Sequence, residues 1–112
     1  MTQQQQEQHF EDLTSLMKQI LLKKGGDYAK EIDVLSNFKL AGSICGLTAE
    51  QNCLSLIATK VARLGVLLYN TEKVPNNESI RDSILDLANY AVLLDMLVGE
   101  KEKENAISNL NL

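Results

Sequence analysis

The chain has 112 residues, of which 45% are hydrophobic and 23% are charged, and its formal net charge is −4. This composition fits one small globular domain and excludes a globally disordered chain. The negative charge argues against a dedicated binder of duplex nucleic acid, because such proteins neutralise phosphates with a basic face. It leaves room for a single bound nucleotide, which a few local cations can hold.

The N-terminal sequence predicts a cytoplasmic protein. Its first residues, MTQQQQEQHF, lack the positive-then-apolar order of a secretory signal, and no apolar run approaches the length that spans a bilayer. Cys45 and Cys53 form no CxxC pair, so we predict two buried, reduced structural thiols. The lack of a spanning apolar run predicts no membrane partner. We interpret residues 1–8 as a flexible polar arm, 9–98 as a single helical domain and 99–112 as a charged, mobile tail.

The first predicted helix runs from about Phe10 to Lys24. Apolar residues recur there at helical spacing, namely Phe10, Leu13, Met17 and Ile20, with Leu16 and Leu21 beside them. Gly25-Gly26 predicts the end of this helix, because glycine accepts the left-handed conformation of a helix cap. The alternative is that these glycines, with Asp27 and Tyr28, let the backbone approach a ligand closely.

A short second helix is predicted to end at Cys45. Asp33 or Ser36 supplies the expected cap, and Gly46 stops the helix. A third helix then begins at a capping box formed by Thr48 and Gln51 and ends near Tyr69. Its predicted core face is Leu54, Ile57, Val61, Leu64 and Leu68. Beside that face a strip of small residues predicts tight helix packing: Ser55, Ala58, Ala62 and Gly65.

The fourth predicted helix runs from about Glu78 to Val98, after a loop over 70–77. Its second half, AVLLDMLV, is apolar on nearly every side, and such a helix must be buried on every side. One small bundle rarely achieves this, so we predict burial of residues 91–98 against a second subunit. The fold class predicted is all-α, a bundle of three long helices and one short helix that homo-oligomerisation completes.

Polar residues on the last two helices form the main candidate site. Glu78, Asp82, Asp86 and Asn89 fall within an arc of about 80° on one helix face. This acidic stripe is either a solvated surface or a set of carboxylates that need partners. Lys60 and Arg63, one turn apart on the third helix, are the partners if the two helices pack antiparallel. The two sets then form a structural ion-pair network, or they bind phosphate on one side and a metal ion or sugar hydroxyls on the other.

Several common chemistries find no support in the sequence. His9 is the only histidine, which disfavours Ser/His/Asp catalysis and a His-rich zinc site. The phosphate-binding loop motif GxxxxGK[ST] does not occur.

Three segments carry a resemblance to a known family: KKGGDYAKEIDVLSNFKLAG, KVARLGVLL and ESIRDSILDLANYAVLL. They resemble the nucleotide-modification-associated domain of short phage and prophage proteins, over roughly residues 20–98. More distantly, the order of helices and the segment from Asp86 to Tyr90 are similar to MazG-like all-α nucleotide pyrophosphatases. In those enzymes one helix carries ExxE and the next carries ExxD, and the acids hold Mg²⁺ that bridges the nucleotide phosphates.

The MazG-like pattern matches this chain in part. Asp86 stands at the Asp of ExxD, and Tyr90 stands at the aromatic residue that follows it, whereas Ser83 stands at the Glu. The ExxE positions correspond to Lys60 and Arg63. Asp82 and Asp86 are therefore the remaining metal candidates. Lysine and arginine neutralise phosphate but do not by themselves activate water, so binding survives these changes more easily than hydrolysis.

The resemblance implies a phage-type nucleotide-binding protein that binds or sequesters a nucleotide, such as a signal of host defence, inside the bacterial host. Lys60 and Arg63 would bind phosphate, and Asp82, Asp86 and Asn89 would face a metal ion, sugar or base. The aromatic candidates for stacking on the base are Tyr90, Tyr28 and Phe38, with Asp27 nearby. One alternative is a Mg²⁺-dependent nucleoside triphosphate pyrophosphatase of deoxynucleotide metabolism. The other is a helical protein-interaction module that needs no cofactor and binds no small ligand.

Overall fold

The computed structural model describes residues 1–28, 33–69 and 77–110, with side chains for 1–23, 33–69 and 79–110. Within these ranges there are four α-helices and no strand. The helices are α1 (Gln3–Tyr28), α2 (Ser36–Cys45), α3 (Ala49–Tyr69) and α4 (Asn77–Leu110). The prediction of an all-α fold with three long helices and one short helix is confirmed. The predicted loop falls mainly on residues 70–76, outside the described part of the chain.

Helix α1 forms most of a separate compact unit, Met1–Val34. It begins at Gln3 because Thr2 and Gln5 form a capping box, with N···O distances of 2.8 and 3.1 Å. The helix continues through Gly25-Gly26 to Tyr28, so the predicted stop is wrong. Each glycine costs a helix interior about 1 kcal/mol relative to alanine, which weakens a helix without ending it.

The predicted apolar face of α1 agrees with the structure in its middle. Leu13, Met17 and Ile20 are half-buried, whereas Phe10 is 66% exposed. The apolar spacing therefore marks a half-buried face from Leu13 onwards and not at Phe10. The division of the chain into a flexible arm, one domain and a mobile tail stays a prediction.

The second unit, Leu35–Leu112, begins with α2 and a tight corner. Gly46 ends α2 with φ = 71°, in the left-handed conformation, as predicted. The N–H of Leu47 donates to Gly42 O at 2.8 Å and that of Gly46 donates to Ser43 O at 3.3 Å, which is a Schellman motif. At the other end, the cap predicted at Asp33 or Ser36 is wrong. Leu35 holds the cap position without a side-chain hydrogen bond, because its side chain has no polar atom, and that side chain is buried in the core.

Helix α3 begins where the sequence predicts, at the capping box of Thr48 and Gln51. Thr48 N lies 2.9 Å from Gln51 Oε1, and Gln51 N lies 3.1 Å from Thr48 Oγ1. The helix packs against both α2 and α4. Contacts that ascend α3 descend α4, from Cys53 with Tyr90 to Lys60 with Asp86, so these two helices are antiparallel.

The core of the second unit is small. Leu35, Cys53 and Leu97 form a buried cluster, each with at most 3% of its surface exposed. Partly buried apolar residues pack around this cluster: Phe38, Ala49, Ile57, Tyr90, Leu93 and Leu94. All three helices of the unit therefore contribute to one core.

The core face of α3 keeps Ile57 and Leu64 from the prediction but is rotated by about 50°, or half a residue. Cys53 is buried and Ile57, Lys60 and Leu64 are half-buried. In contrast, the exposed fractions of three residues predicted to be core are 56% for Leu54, 52% for Val61 and 60% for Leu68. The cause is that α3 is apolar on two faces, and α2 and α4 cover only one of them. The strip of small residues is also uncovered, because Ser55, Ala58 and Ala62 are exposed.

Helix α3 is also, among the described residues, the one helix whose length and apolar composition would allow it to cross a membrane. The expectation that no apolar run approaches that length is therefore wrong. Helices of soluble proteins satisfy the same criterion, and the absence of a membrane partner stays a prediction.

Helix α4 is longer than predicted and continues past Val98 to Leu110. Two ion pairs connect this extension to the rest of the unit. Lys39 Nζ lies 3.0 Å from Glu100 Oε2, and Lys101 Nζ lies 3.8 Å from Glu50 Oε2. The charged segment after Gly99 is thus helical through Leu110.

Candidate functional site between α3 and α4

The candidate site is centred on an ion pair between α3 and α4. Lys60 Nζ lies 2.9 Å from Asp86 Oδ2, and the two side chains are 21% and 27% exposed. At 3.6 residues per turn, Lys60 lies at the side of the buried face of α3, and the antiparallel packing brings Asp86 opposite. The predicted meeting of a basic residue on one helix with the acidic stripe on the other is observed here.

One turn away from this pair the site opens to solvent. Arg63 follows Lys60 on α3, and Asp82 precedes Asp86 on α4, so the antiparallel register brings Arg63 to the level of Asp82. Both residues are exposed, and no ion pair joins them within the part of the chain that the structure describes. The guanidinium of Arg63 is therefore accessible to a ligand in solution.

In the other direction the site leads into the core. Asn89, one turn after Asp86, is only 7% exposed. The rings of Phe38 and Tyr90 meet edge to face, with centroids 6.4 Å apart and an interplanar angle of 87°. Both rings are half-buried and pack against the core cluster. The structure thus brings these two aromatic candidates together, in a packing arrangement, and their role in stacking on a base stays a prediction.

Three of the predicted residues cannot be located in the site. Asp27 and Tyr28 are the last residues of α1, in the first unit, and their side chains lie outside the described residues. The side chain of Glu78 on α4 does too.

The described donor atoms do not match the carboxylate cage that the MazG-like resemblance implies for Mg²⁺. Asp86 already contacts an ammonium group at 2.9 Å. Within the described ranges, no group of three acidic, histidine or cysteine side chains is arranged to hold a metal ion. The position of the missing ExxD glutamate, Ser83, is 2% exposed and offers a hydroxyl in place of a carboxylate.

The prediction of two buried thiols is confirmed for Cys53 and wrong for Cys45, which is exposed. Sequence reasoning missed the burial of Ser83 beside the site. The Cys53 thiol donates to the carbonyl oxygen of Tyr90 at 3.5 Å, and burial raises the pKa of this thiol above its ordinary value. Ser83 lies three residues before Asp86, so the two share a face of α4. The available signal for the burial of Ser83 was its small side chain three residues before the charged Asp86.

A second concave feature lies at the other end of α3. This cleft, about 330 Å³ in volume, has Leu97 and Ala49 among its lining residues, and its charged walls include the ion pairs of Lys39 with Glu100 and Lys101 with Glu50. Its lysines thus already contact carboxylates.

Comparison of the chain with protein-family models, with curated proteins and with solved structures found no match.

Proposed function

We propose that this protein binds a nucleotide at the contact between α3 and α4 and sequesters it without cleaving it. The observation that carries the proposal is the half-buried Lys60–Asp86 pair with the exposed Arg63 one turn away. In this proposal the fold is MazG-like, the protein is of phage type and acts in the host cytoplasm, and the ligand is a host-defence signal or another free nucleotide. A homo-oligomer completes the molecule.

The chemistry of the two cations suits phosphate. A lysine ammonium has three donors, and Asp86 accepts from one of them, so the others remain for a phosphate oxygen. Arg63 offers a planar fork of donors that matches phosphate in a bidentate geometry. Asp86 holds the Lys60 side chain in place, which lowers the entropic cost of ordering it around a ligand.

The proposal favours sequestration over hydrolysis for a chemical reason. Metal-assisted hydrolysis needs carboxylates that orient Mg²⁺ and an activated water, and two of the corresponding positions here are Lys60 and Arg63. With cations in those places, nucleotide affinity should depend little on Mg²⁺.

The first prediction concerns Lys60 and Arg63. We expect Lys60→Ala and Arg63→Ala each to weaken nucleotide binding about tenfold or more, because a charge-assisted contact contributes about 1.5–3 kcal/mol. The measurement is titration calorimetry with ATP, deoxynucleoside triphosphates and cyclic di-AMP, each in Mg²⁺ and in EDTA. Circular dichroism checks that helicity is retained. Arg63→Ala is the sharper variant, since Arg63 is exposed and makes no ion pair in the described part of the chain.

Lys103→Ala is the matched control. It removes the same charge from an exposed position on α4, 17 residues beyond Asp86 and so about 25 Å away. It should leave the affinity unchanged. If neither Lys60→Ala nor Arg63→Ala changes the affinity, these residues do not form the site. If Mg²⁺-dependent release of pyrophosphate is found and is lost in Asp86→Asn, the protein is a pyrophosphatase instead.

A further inference from the structure

The face of α3 that α2 and α4 leave uncovered carries a continuous apolar seam. This α3 seam consists of residues spaced alternately four and three apart: Leu54, Ala58, Val61, Gly65 and Leu68. This is the spacing of a coiled-coil contact. More than half of each large side chain of the seam is exposed, and a Cβ placed on Gly65 would meet no atom within 4 Å. The seam extends over about 21 Å of the helix.

We propose that the α3 seam is the surface through which two copies of this chain associate, with their α3 helices antiparallel. Two features favour a second copy. The seam contains no charged residue, whereas the chain as a whole carries a net charge of −4. The seam therefore lets two copies of an acidic protein approach without placing like charges against each other.

The second feature is the alternation of large and small residues along the seam. Leu54, Val61 and Leu68 alternate with Ala58 and Gly65. In an antiparallel pair whose twofold axis passes between Ala58 and Val61, Leu54 of each helix lies level with Gly65 of the other, and Val61 lies level with Ala58. The seam is thus complementary in shape to itself, as a symmetric interface requires.

This inference specifies the interface of the homo-oligomer in the proposed function. It rests on the proposed function for the oligomer and does not depend on nucleotide binding. It also relocates the interface that the sequence predicted on residues 91–98. Leu97 is 1% exposed and Leu93 and Leu94 pack against the core, so the apolar character of that segment is largely used within the subunit. Arg63 lies about 200° around α3 from Val61, so association through the seam leaves the nucleotide site open.

The test compares two valines of α3. Val61 lies in the seam, and Val66, which is 67% exposed, lies about 140° away from it. We expect light scattering of the full chain at micromolar concentration to give twice 12.4 kDa for the unmodified protein and for Val66→Glu. Val61→Glu should give the mass of one chain with unchanged helicity, because it would bury a charge at the interface. A monomeric unmodified protein, or a dimer that persists in Val61→Glu, would overturn the proposal.

Cross-linking keeps the proposal testable if Val61→Glu does not fold. In a Cys45→Ser background, diamide should link Val61→Cys into a covalent dimer, while Val66→Cys stays a single chain. Cys53 is buried and should not contribute. Equal cross-linking of the two variants would overturn the proposal, as would a protein that is monomeric in solution and binds phosphatidylcholine vesicles in a Val61-dependent manner.

Nucleotide titration of the same variants separates this inference from the proposed function. A dimer that depends on Val61 but binds no nucleotide would remove the nucleotide site alone. A monomer that still binds nucleotide through Arg63 would remove the α3 seam alone.

Discussion

Two ion pairs of nearly equal length differ in their exposure to solvent. Lys60–Asp86 spans 2.9 Å with side chains 21% and 27% exposed, and Lys39–Glu100 spans 3.0 Å with side chains 43% and 42% exposed. Water screens the second pair more strongly, and exposed pairs typically contribute about 0.2–1 kcal/mol. The protein thus contains a half-buried and an exposed ion pair of nearly the same length.

The second prediction is that double-mutant cycles will separate these pairs. Alanine substitution at Lys60 and Asp86 should give a coupling energy of about 1–2 kcal/mol, within the range for side chains in contact. The cycle at Lys39 and Glu100 should give about 0.2–1 kcal/mol. Urea unfolding of the single and double variants measures both. Equal coupling energies would show that burial does not govern these pairs.

At the scale of elements, the corner between α2 and α3 depends on a glycine inside α2. A Cβ on Gly42 would lie 2.9 Å from Leu47 O and 3.0 Å from Thr48 O, which are backbone atoms that cannot move aside without opening the corner. Gly99 in α4 has the opposite surroundings, since a Cβ there would meet nothing within 4 Å.

The third prediction uses these two glycines as a matched pair. Gly42→Ala should lower the free energy of unfolding by about 1–3 kcal/mol, because overpacking displaces the backbone of the corner. Gly99→Ala should raise it by about 0.5–1 kcal/mol, because alanine favours an open helical position. Urea unfolding measures both changes. Stabilisation by Gly42→Ala would show that the corner does not approach α2 as closely as described.

At the scale of the whole molecule, Cys53 reports on the integrity of the core. Its side chain is 0% exposed, and burial raises the pKa of its thiol. The folded state therefore favours the protonated thiol. The resulting stabilisation is complete below the ordinary cysteine pKa of about 8.5 and is lost as the pH rises through the higher pKa of the folded state.

The fourth prediction follows from this decrease in stability with rising pH. Between pH 7.5 and pH 9.5, the free energy of unfolding should fall more in Cys45→Ser, which keeps the buried thiol, than in Cys53→Ala, which lacks it. Urea unfolding under reducing conditions at the two pH values gives the comparison. The exposed Cys45 should also react with a thiol reagent much faster than Cys53 in the folded protein. Equal pH dependence in the two variants would contradict a pKa raised by burial.

The sequence alone determined the helical class and about half of the helix boundaries, because caps and periodicity are local properties. Gly46 sets the C-terminal end of α2, and the capping box of Thr48 and Gln51 sets the start of α3. Each of these signals acts within a few residues. The same local logic failed at Gly25-Gly26, where a weak helix former did not end the helix. It also overlooked the box of Thr2 and Gln5, since a Gln-rich start suggested an arm.

Only the tertiary structure decided which face of each helix is used. Helix α3 carries two apolar faces, one with Cys53, Ile57 and Leu64 and the other with Leu54 and Val61, and periodicity does not distinguish between them. The packing of α2 and α4 buries the face with Cys53 and leaves the face with Leu54 exposed. The sequence likewise placed Lys60 and Asp86 on neighbouring helices, but their contact depends on the antiparallel register of α3 and α4. Many contacts between residues distant in the chain together set this register, and no local sequence pattern predicts it.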